Sequence, residues 1–211
     1  MKNILVILAL LATSTAHATK ARQTALGGFG SFWTDTQTIF DYPQYVGTLG
    51  QYLTMEMGPT GTFATSPRAE GGFYKKSGDG ILGIYFGHQD PIVDAVRNTN
   101  TLETQNNPFY LVYSHGDIGY GLNVSYADIK TTGAKEMTFG ATFGSKVGDG
   151  NLGLAATAYS KSESAAANAK VFPVIKGSYN APAGDNQFYG TVNYYRTDIT
   201  GTTDNVYGAQ L

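Results

Sequence analysis

The feature that most constrains this chain is an alternation of apolar and small polar residues, which begins at Tyr45 and runs on toward the carboxyl end. It is clearest in residues 118–127, where one parity is apolar and the other is Gly, Asn, Ser and Ala. Side chains on a β-strand point alternately to two faces, so this period predicts strands with one apolar and one small polar face. Ten strands are predicted, over residues 45–57, 68–76, 81–88, 107–114, 118–128, 135–146, 152–161, 170–180, 186–198 and 205–211.

The connections between these strands alternate between longer and shorter segments. The shorter ones carry residues typical of tight turns, at 77–80, 115–117, 148–150 and 181–185. Short turns at one end and longer loops at the other are typical of an up-and-down barrel in an outer membrane.

The low content of charged residues distinguishes between two all-β folds, a transmembrane barrel and a soluble sandwich. Only 14% of the residues are charged, against roughly 25% in average soluble domains, and the polar faces carry few of them. A soluble β-sandwich normally places Lys, Glu and Arg on its outer face, so it is the less favoured alternative. We predict an all-β fold, an antiparallel up-and-down transmembrane β-barrel of about ten strands, with eight or twelve as alternatives and a plug segment at its N-terminus.

The first 18 residues have the pattern of a secretory signal peptide. Lys2 gives a positive start, residues 4–12 are apolar, and Ala16 and Ala18 fit the small-x-small cleavage rule. Nine apolar residues are too few for a membrane helix, which needs about 20. We therefore expect cleavage after Ala18, export, and a location in the outer membrane.

The segment between the signal peptide and the first strand reads Arg22-Gln23-Thr24-Ala25-Leu26-Gly27-Gly28, with Asp35, Asp41 and Pro43 further on. It resembles the start of outer-membrane barrels of the porin-like and long-chain fatty-acid transporter type. The resemblance implies that residues 19–44 fold into the barrel mouth or lumen as a plug. The predicted organisation is a signal peptide (1–18), a plug (19–44) and a β-barrel (45–211).

Residues for catalysis or metal binding are sparse. After cleavage His88 and His115 stand alone, and the chain has no cysteine, so we predict no enzyme activity, cofactor or metal site. The formal net charge is −2 and the longest basic run is Lys75-Lys76, which argues against nucleic-acid binding.

The candidate functional residues are those that the alternation places inside the barrel. The predicted lumen-facing residues are Tyr52, Glu56, Arg68, Glu70, Asn123, Glu136, Lys146, Asn193 and Tyr195. The predicted plug residues are Arg22, Asp35 and Asp41.

These features favour a porin-like protein that passes a small solute passively through a narrow lumen. A non-conducting barrel with a structural or surface-display role is the alternative. The expected partners are outer-membrane lipid and a small solute, and the pattern leaves the oligomeric state open.

Overall fold

A computed structural model describes residues 35–56, 69–88, 106–129, 133–162, 170–184, 186–199 and 202–210. The chain begins with a 3₁₀ turn (Thr38–Phe40) and a short helix, α1 (Tyr45–Leu49). Strands follow in the order β1 (Tyr52–Glu56), β2 (Glu70–Ser77), β3 (Gly80–Phe86), β4 (Asn106–His115), β5 (Ile118–Ile129), β6 (Ala134–Val147), β7 (Gly150–Ser162), β8 (Lys170–Ala183), β9 (Asn186–Ile199) and β10 (Thr202–Gln210). The signal peptide, Arg22 and Arg68 lie outside the described residues.

All ten strands belong to one antiparallel sheet, in which each strand pairs with its neighbours in the sequence. This confirms the all-β meander of ten strands. Four tight turns lie at one end of the sheet, which we call the hairpin end, and each contains a glycine with positive φ that a larger residue would adopt only with strain. These glycines are Gly78, Gly116, Gly148 and Gly184, with φ between 56° and 64°. The opposite end is the loop end.

The two faces of the sheet differ as the alternation predicts. On β5, Tyr120 and Leu122 are 52% and 44% exposed, whereas the intervening Gly121 and the inward Ser125 are buried. The same outward apolar pattern continues on the other strands, for example at Leu53, Phe73, Phe139, Leu154, Ile175 and Val192. Large apolar side chains therefore cover the outside, and small polar ones cover much of the inside.

The first strand is shorter than predicted. Residues 45–49 are helical, and β1 begins only at Tyr52. Val46 and Leu49 both pack on the interior apolar cluster, and a spacing of three residues puts them on one side of a helix. In a strand these two side chains would point to opposite faces, so their spacing fits the helix, and burial inside the sheet stabilises it.

The last strand is longer than predicted at its start. It begins at Thr202, so two residues separate it from β9.

The sheet curls around the N-terminal segment. Helix α1 contacts β3 and β4, and its Tyr45 Oη accepts a hydrogen bond from Asn180 Nδ2 of β8 at 3.1 Å. In a flat sheet β4 and β8 would lie about 19 Å apart, at about 4.8 Å per strand. A five-residue helix is only about 7.5 Å long, so it touches both walls only because the sheet wraps around it.

Closure of the curled sheet would require a ladder between β1 and β10. Among the described residues, β1 pairs with β2 and β10 pairs with β9, and no ladder joins β1 to β10. No helix within the described ranges is long and apolar enough to cross a membrane.

A closed barrel predicts that β1 and β10 cross-link in the folded protein. Outward-facing Leu53 or Met55 of β1 would be changed to Cys and combined in turn with Asn205→Cys, Tyr207→Cys or Ala209→Cys on β10. We expect one combination to form a disulfide, because this bond requires Cβ atoms about 4 Å apart. The cysteine-free parent makes gel migration with and without reductant a clean measurement.

The matched control joins Leu53→Cys to Leu122→Cys, since Leu122 lies on β5 at a distance of four strands. If no β1–β10 combination cross-links while every single cysteine reacts with a maleimide, the barrel is open along this seam.

Candidate functional site

The candidate site is the lumen of the curled sheet together with residues 35–49, which we call the plug segment. At the loop end, Gln37 bonds to Glu56 and Glu70, where β1 ends and β2 begins. At the hairpin end, Gln44 Nε2 donates to Asn151 Oδ1, near the start of β7, at 3.4 Å. The plug segment therefore runs lengthwise through the lumen.

One side of the plug segment forms an apolar core with β2, β3 and β4. The ring of Phe40 packs edge-on against Tyr85 and Tyr110, with centroid distances of 5.0 Å and 4.9 Å. The cluster contains Ile39, Phe40 and Val46 from the plug segment and Tyr74, Tyr85, Tyr110 and Val112 from the strands. Ile39, Val46, Tyr85 and Val112 are completely inaccessible to solvent. This half of the lumen is sealed.

The facing wall contains a row of three glycines. Gly119 of β5 pairs with Gly144 of β6, and Gly144 pairs with Gly153 of β7. A Cβ atom on Gly119 would overlap the backbone of Pro43 and Gln44, and one on Gly153 would overlap the Asp41 carbonyl oxygen. At Gly144 a Cβ atom would overlap the side chains of Gln44 and Pro43. The missing side chains of the three glycines therefore form a groove across the wall in which the plug segment lies.

A polar anchor holds the loop end of the plug segment. Gln37 Nε2 lies 3.1 Å from Glu56 Oε1, 2.6 Å from Glu70 Oε1 and 3.1 Å from Tyr85 Oη. Glu56 and Glu70 are direct partners in the β1–β2 ladder, so the two amide hydrogens of Gln37 serve two adjacent carboxylates. Hydrogen bonds to charged groups are stronger than neutral ones.

A second anchor lies at mid-height on β8. Lys176 Nζ and Asp41 Oδ1 are 2.6 Å apart, and the two side chains are 14% and 20% exposed. The ion pair is therefore only partly shielded from solvent, unlike the side chain of Glu70, which is 1% exposed.

A third set of hydrogen bonds holds the hairpin end. Asn151 Nδ2 donates to Asn180 Oδ1 at 3.0 Å, and these two asparagines bind Gln44 and Tyr45 of the plug segment. Next to Tyr45, burial raises the pKa of Tyr42 far above its ordinary value, and the charge of Asp41 adds to the shift. The Tyr42 phenol therefore stays neutral at any physiological pH.

The inward face near β9 and β10 is less covered. We call this surface the lumen strip; its residues are only partly buried, and they are Lys176, Tyr189, Asn193, Tyr195, Val206 and Gly208. The lumen is thus asymmetric, with an aromatic sealed side at β2–β4 and a more accessible, more polar side at β9 and β10; on β8, Val174, Ser178 and Asn180 are buried and Lys176 is only partly buried.

Most of the predicted lumen residues that the structure describes occupy inward positions. Tyr52, Glu56, Glu70, Asn123, Glu136, Asn193 and Tyr195 lie on the inner face, where Glu70 and Glu136 are buried and the others are partly buried. Lys146 has the inward parity, but it lies at the hairpin end and is exposed. The structure brings Glu56 and Glu70 together, and it places Asn123 and Asn193 on different walls.

The two described plug candidates have different roles. Asp41 forms the ion pair with Lys176. Asp35 is buried and organises the 3₁₀ turn: its N–H donates to Thr38 Oγ1 at 2.9 Å, and its Oδ1 accepts from Thr36 Oγ1 at 3.0 Å.

Sequence reasoning missed Gln37, Gln44, Lys176 and the glycine row. The alternation along β8 puts Lys176 on the same face as Val174 and Ser178, so its inward position could have been predicted from the sequence. The glycine row could not be predicted from the sequence, because it depends on the register in which three strands pair.

Comparison with known proteins gave no match to a family model, to a curated protein or to a solved structure. The resemblance to porin-like and fatty-acid transporter barrels remains a prediction. Within the described ranges, no three His, Asp or Glu side chains are grouped so that they could hold a metal ion.

We predict that Gly119→Val displaces the plug segment. The new side chain would overlap the backbone of Pro43 and Gln44, and overpacking of this kind costs about 1–3 kcal/mol. The readout is the maleimide labelling rate of Val46→Cys, a position with no solvent exposure in the parent; we expect faster labelling in Gly119→Val.

The control is Gly177→Val, because a Cβ there meets only Val192 and Leu154 at ordinary contact distances. Equal labelling rates in Gly119→Val and in the control would show that the glycine row does not hold the plug segment.

We also predict that Gln37→Leu lowers the free energy of unfolding by about 2–3 kcal/mol, because Glu56 and Glu70 both lose a hydrogen-bond donor. Denaturant titration of the detergent-folded protein measures the change. Gln51→Leu is the control, since Gln51 is exposed and accepts one bond from the backbone of Lys76. If the two variants unfold at the same denaturant concentration, the Gln37 anchor contributes nothing to stability.

Proposed function

We propose that this protein is an outer-membrane β-barrel that passes a small polar solute passively through its lumen, with the plug segment setting the width of the path. The proposal joins the predicted export signal to the observed ten-strand meander. An even number of antiparallel strands with short turns at one end is the usual arrangement of such barrels.

The outer surface supports a lipid environment. Leu, Val, Ile, Phe and Met side chains stand exposed on neighbouring strands, far beyond the scattered apolar residues of an ordinary soluble surface. Lipid solvates such residues at no cost. A bilayer also requires every backbone polar group to be paired, so the proposal includes closure of the seam between β1 and β10.

The transport proposal rests on the asymmetry of the lumen. The plug segment is sealed against β2–β4, but the lumen strip, which consists of Lys176 and inward residues of β9 and β10, remains partly accessible. A ten-stranded barrel is close to the width at which side chains alone fill the interior. A path along the lumen strip would therefore be narrow and suited to small solutes.

The sealed side favours a second candidate, a non-conducting barrel with a structural or surface-display role. Ile39 and Val46 are as completely buried as residues of a protein core. A plug segment that never leaves this position would make the molecule a rigid envelope component.

Planar-bilayer recording separates the two candidates. We expect small conductance steps from the parent protein and larger steps from Gly119→Val, because displacement of the plug segment widens the path. Gly177→Val should behave like the parent. Each sample is first checked on a gel without heating, where a folded barrel migrates differently from the boiled chain. Silence from the folded parent and from folded Gly119→Val would contradict transport and leave the non-conducting barrel.

A further inference from the structure

We propose that Lys176 binds a small oxyanion in the lumen and that Asp41 is a built-in competitor for the same position. The ligand class is a carboxylate or a phosphate-bearing anion of low mass. This inference rests on the proposed function and adds a solute class to it.

Lys176 lies at the middle of the barrel wall. It is the seventh of the fourteen residues of β8, so it is about 20 Å along the strand from either end. Three of the basic side chains that the structure describes occupy inward positions. Lys76 and Lys146 are exposed at the hairpin end, and Lys176 lies at mid-height. A solute that crosses the lumen along the lumen strip passes beside it.

The wall around Lys176 is built from residues with small or neutral side chains. The direct ladder partners of Lys176 are Ala155 on β7 and Asn193 on β9, and Asn193 pairs in turn with Gly208 on β10. These neighbours are small or neutral, and the plug segment brings the carboxylate of Asp41 to 2.6 Å from the ammonium group.

The Asp41 side chain is chemically an acetate group on a tether. A charge removed from bulk water is costly unless a counter-charge lies close to it. When the plug segment moves away from β8, Lys176 loses this carboxylate, and a dissolved oxyanion that takes its place restores the lost interaction. The tethered and the dissolved anion therefore exclude each other.

The solvent exposure of the side chains in each anchor shows which anchor a dissolved anion can reach. Lys176 and Asp41 are 14% and 20% exposed, whereas Gln37 is buried and the side chain of Glu70 is 1% exposed. An anion from solution can therefore compete at Lys176 while the Gln37 anchor stays shielded.

The first test measures competition in the full chain. Maleimide labelling of Ser178→Cys, a position on β8 that is buried beside the plug segment and two residues from Lys176, is followed in acetate and, separately, in phosphate, at constant ionic strength with chloride as the reference. We expect at least one of the two oxyanions to accelerate labelling severalfold, and the comparison between them identifies the preferred group. Lys176→Arg should keep this response, and Lys176→Met should label at a rate that does not depend on the anion. A parent rate that is the same in chloride, acetate and phosphate overturns the proposal.

The second test measures selectivity in the bilayer. In the Gly119→Val background, Lys176→Met should lower the permeability of acetate or phosphate relative to potassium severalfold, and Lys176→Arg should restore it. Equal permeability ratios with Lys and Met at position 176 overturn the inference while leaving transport intact. If Gly119→Val is silent, transport fails, and the labelling experiment alone decides whether Lys176 binds oxyanions.

Discussion

The close contact between the plug segment and three glycines of the curled sheet is the constraint on which the lumen depends. Gly119, Gly144 and Gly153 lie side by side in three adjacent strands, and side chains at these positions would occupy the place of Asp41 to Gln44. The glycines bring the plug segment close enough to the wall for Asp41 to reach Lys176 and for Gln44 to reach Asn151. The wall and the plug segment are complementary surfaces, comparable to the two sides of a packed core.

Most of the architecture was predictable from the sequence because a single periodic signal controls it. The alternation identified all ten strands, and the Gly-Asp turns identified the hairpin end, since both depend on residues close in sequence. The helix at Tyr45–Leu49 was not predictable, because five residues are barely more than one turn and its stability comes from packing of Val46 and Leu49 in the interior of the sheet. The register that aligns the three glycines also depends on pairings between strands. For the same reason the alternation placed Glu56 and Glu70 inside but did not reveal Gln37 as their shared donor.

The two walls of the lumen suit different tasks. Aromatic and aliphatic packing at β2–β4 gives the plug segment a fixed position, because a well-packed core tolerates little displacement. Ion pairing at β8 is directional but replaceable, because any suitable anion offers the same interaction to Lys176. The plug segment is held firmly at β2–β4 and by an exchangeable ion pair at β8, so we expect it to separate from β8 first.

The place of the plug segment in the chain has a consequence for folding. It precedes every strand, so it is present before the wall that surrounds it. Gln37 and Glu56 are 19 residues apart, whereas Asp41 and Lys176 are 135 apart. Contacts between distant residues form more slowly because their loop-closure entropy is larger. The apolar cluster between the plug segment and β2–β4 would then assemble first. The later strands would pack around this cluster, so that the plug segment serves as the core for the rest of the sheet.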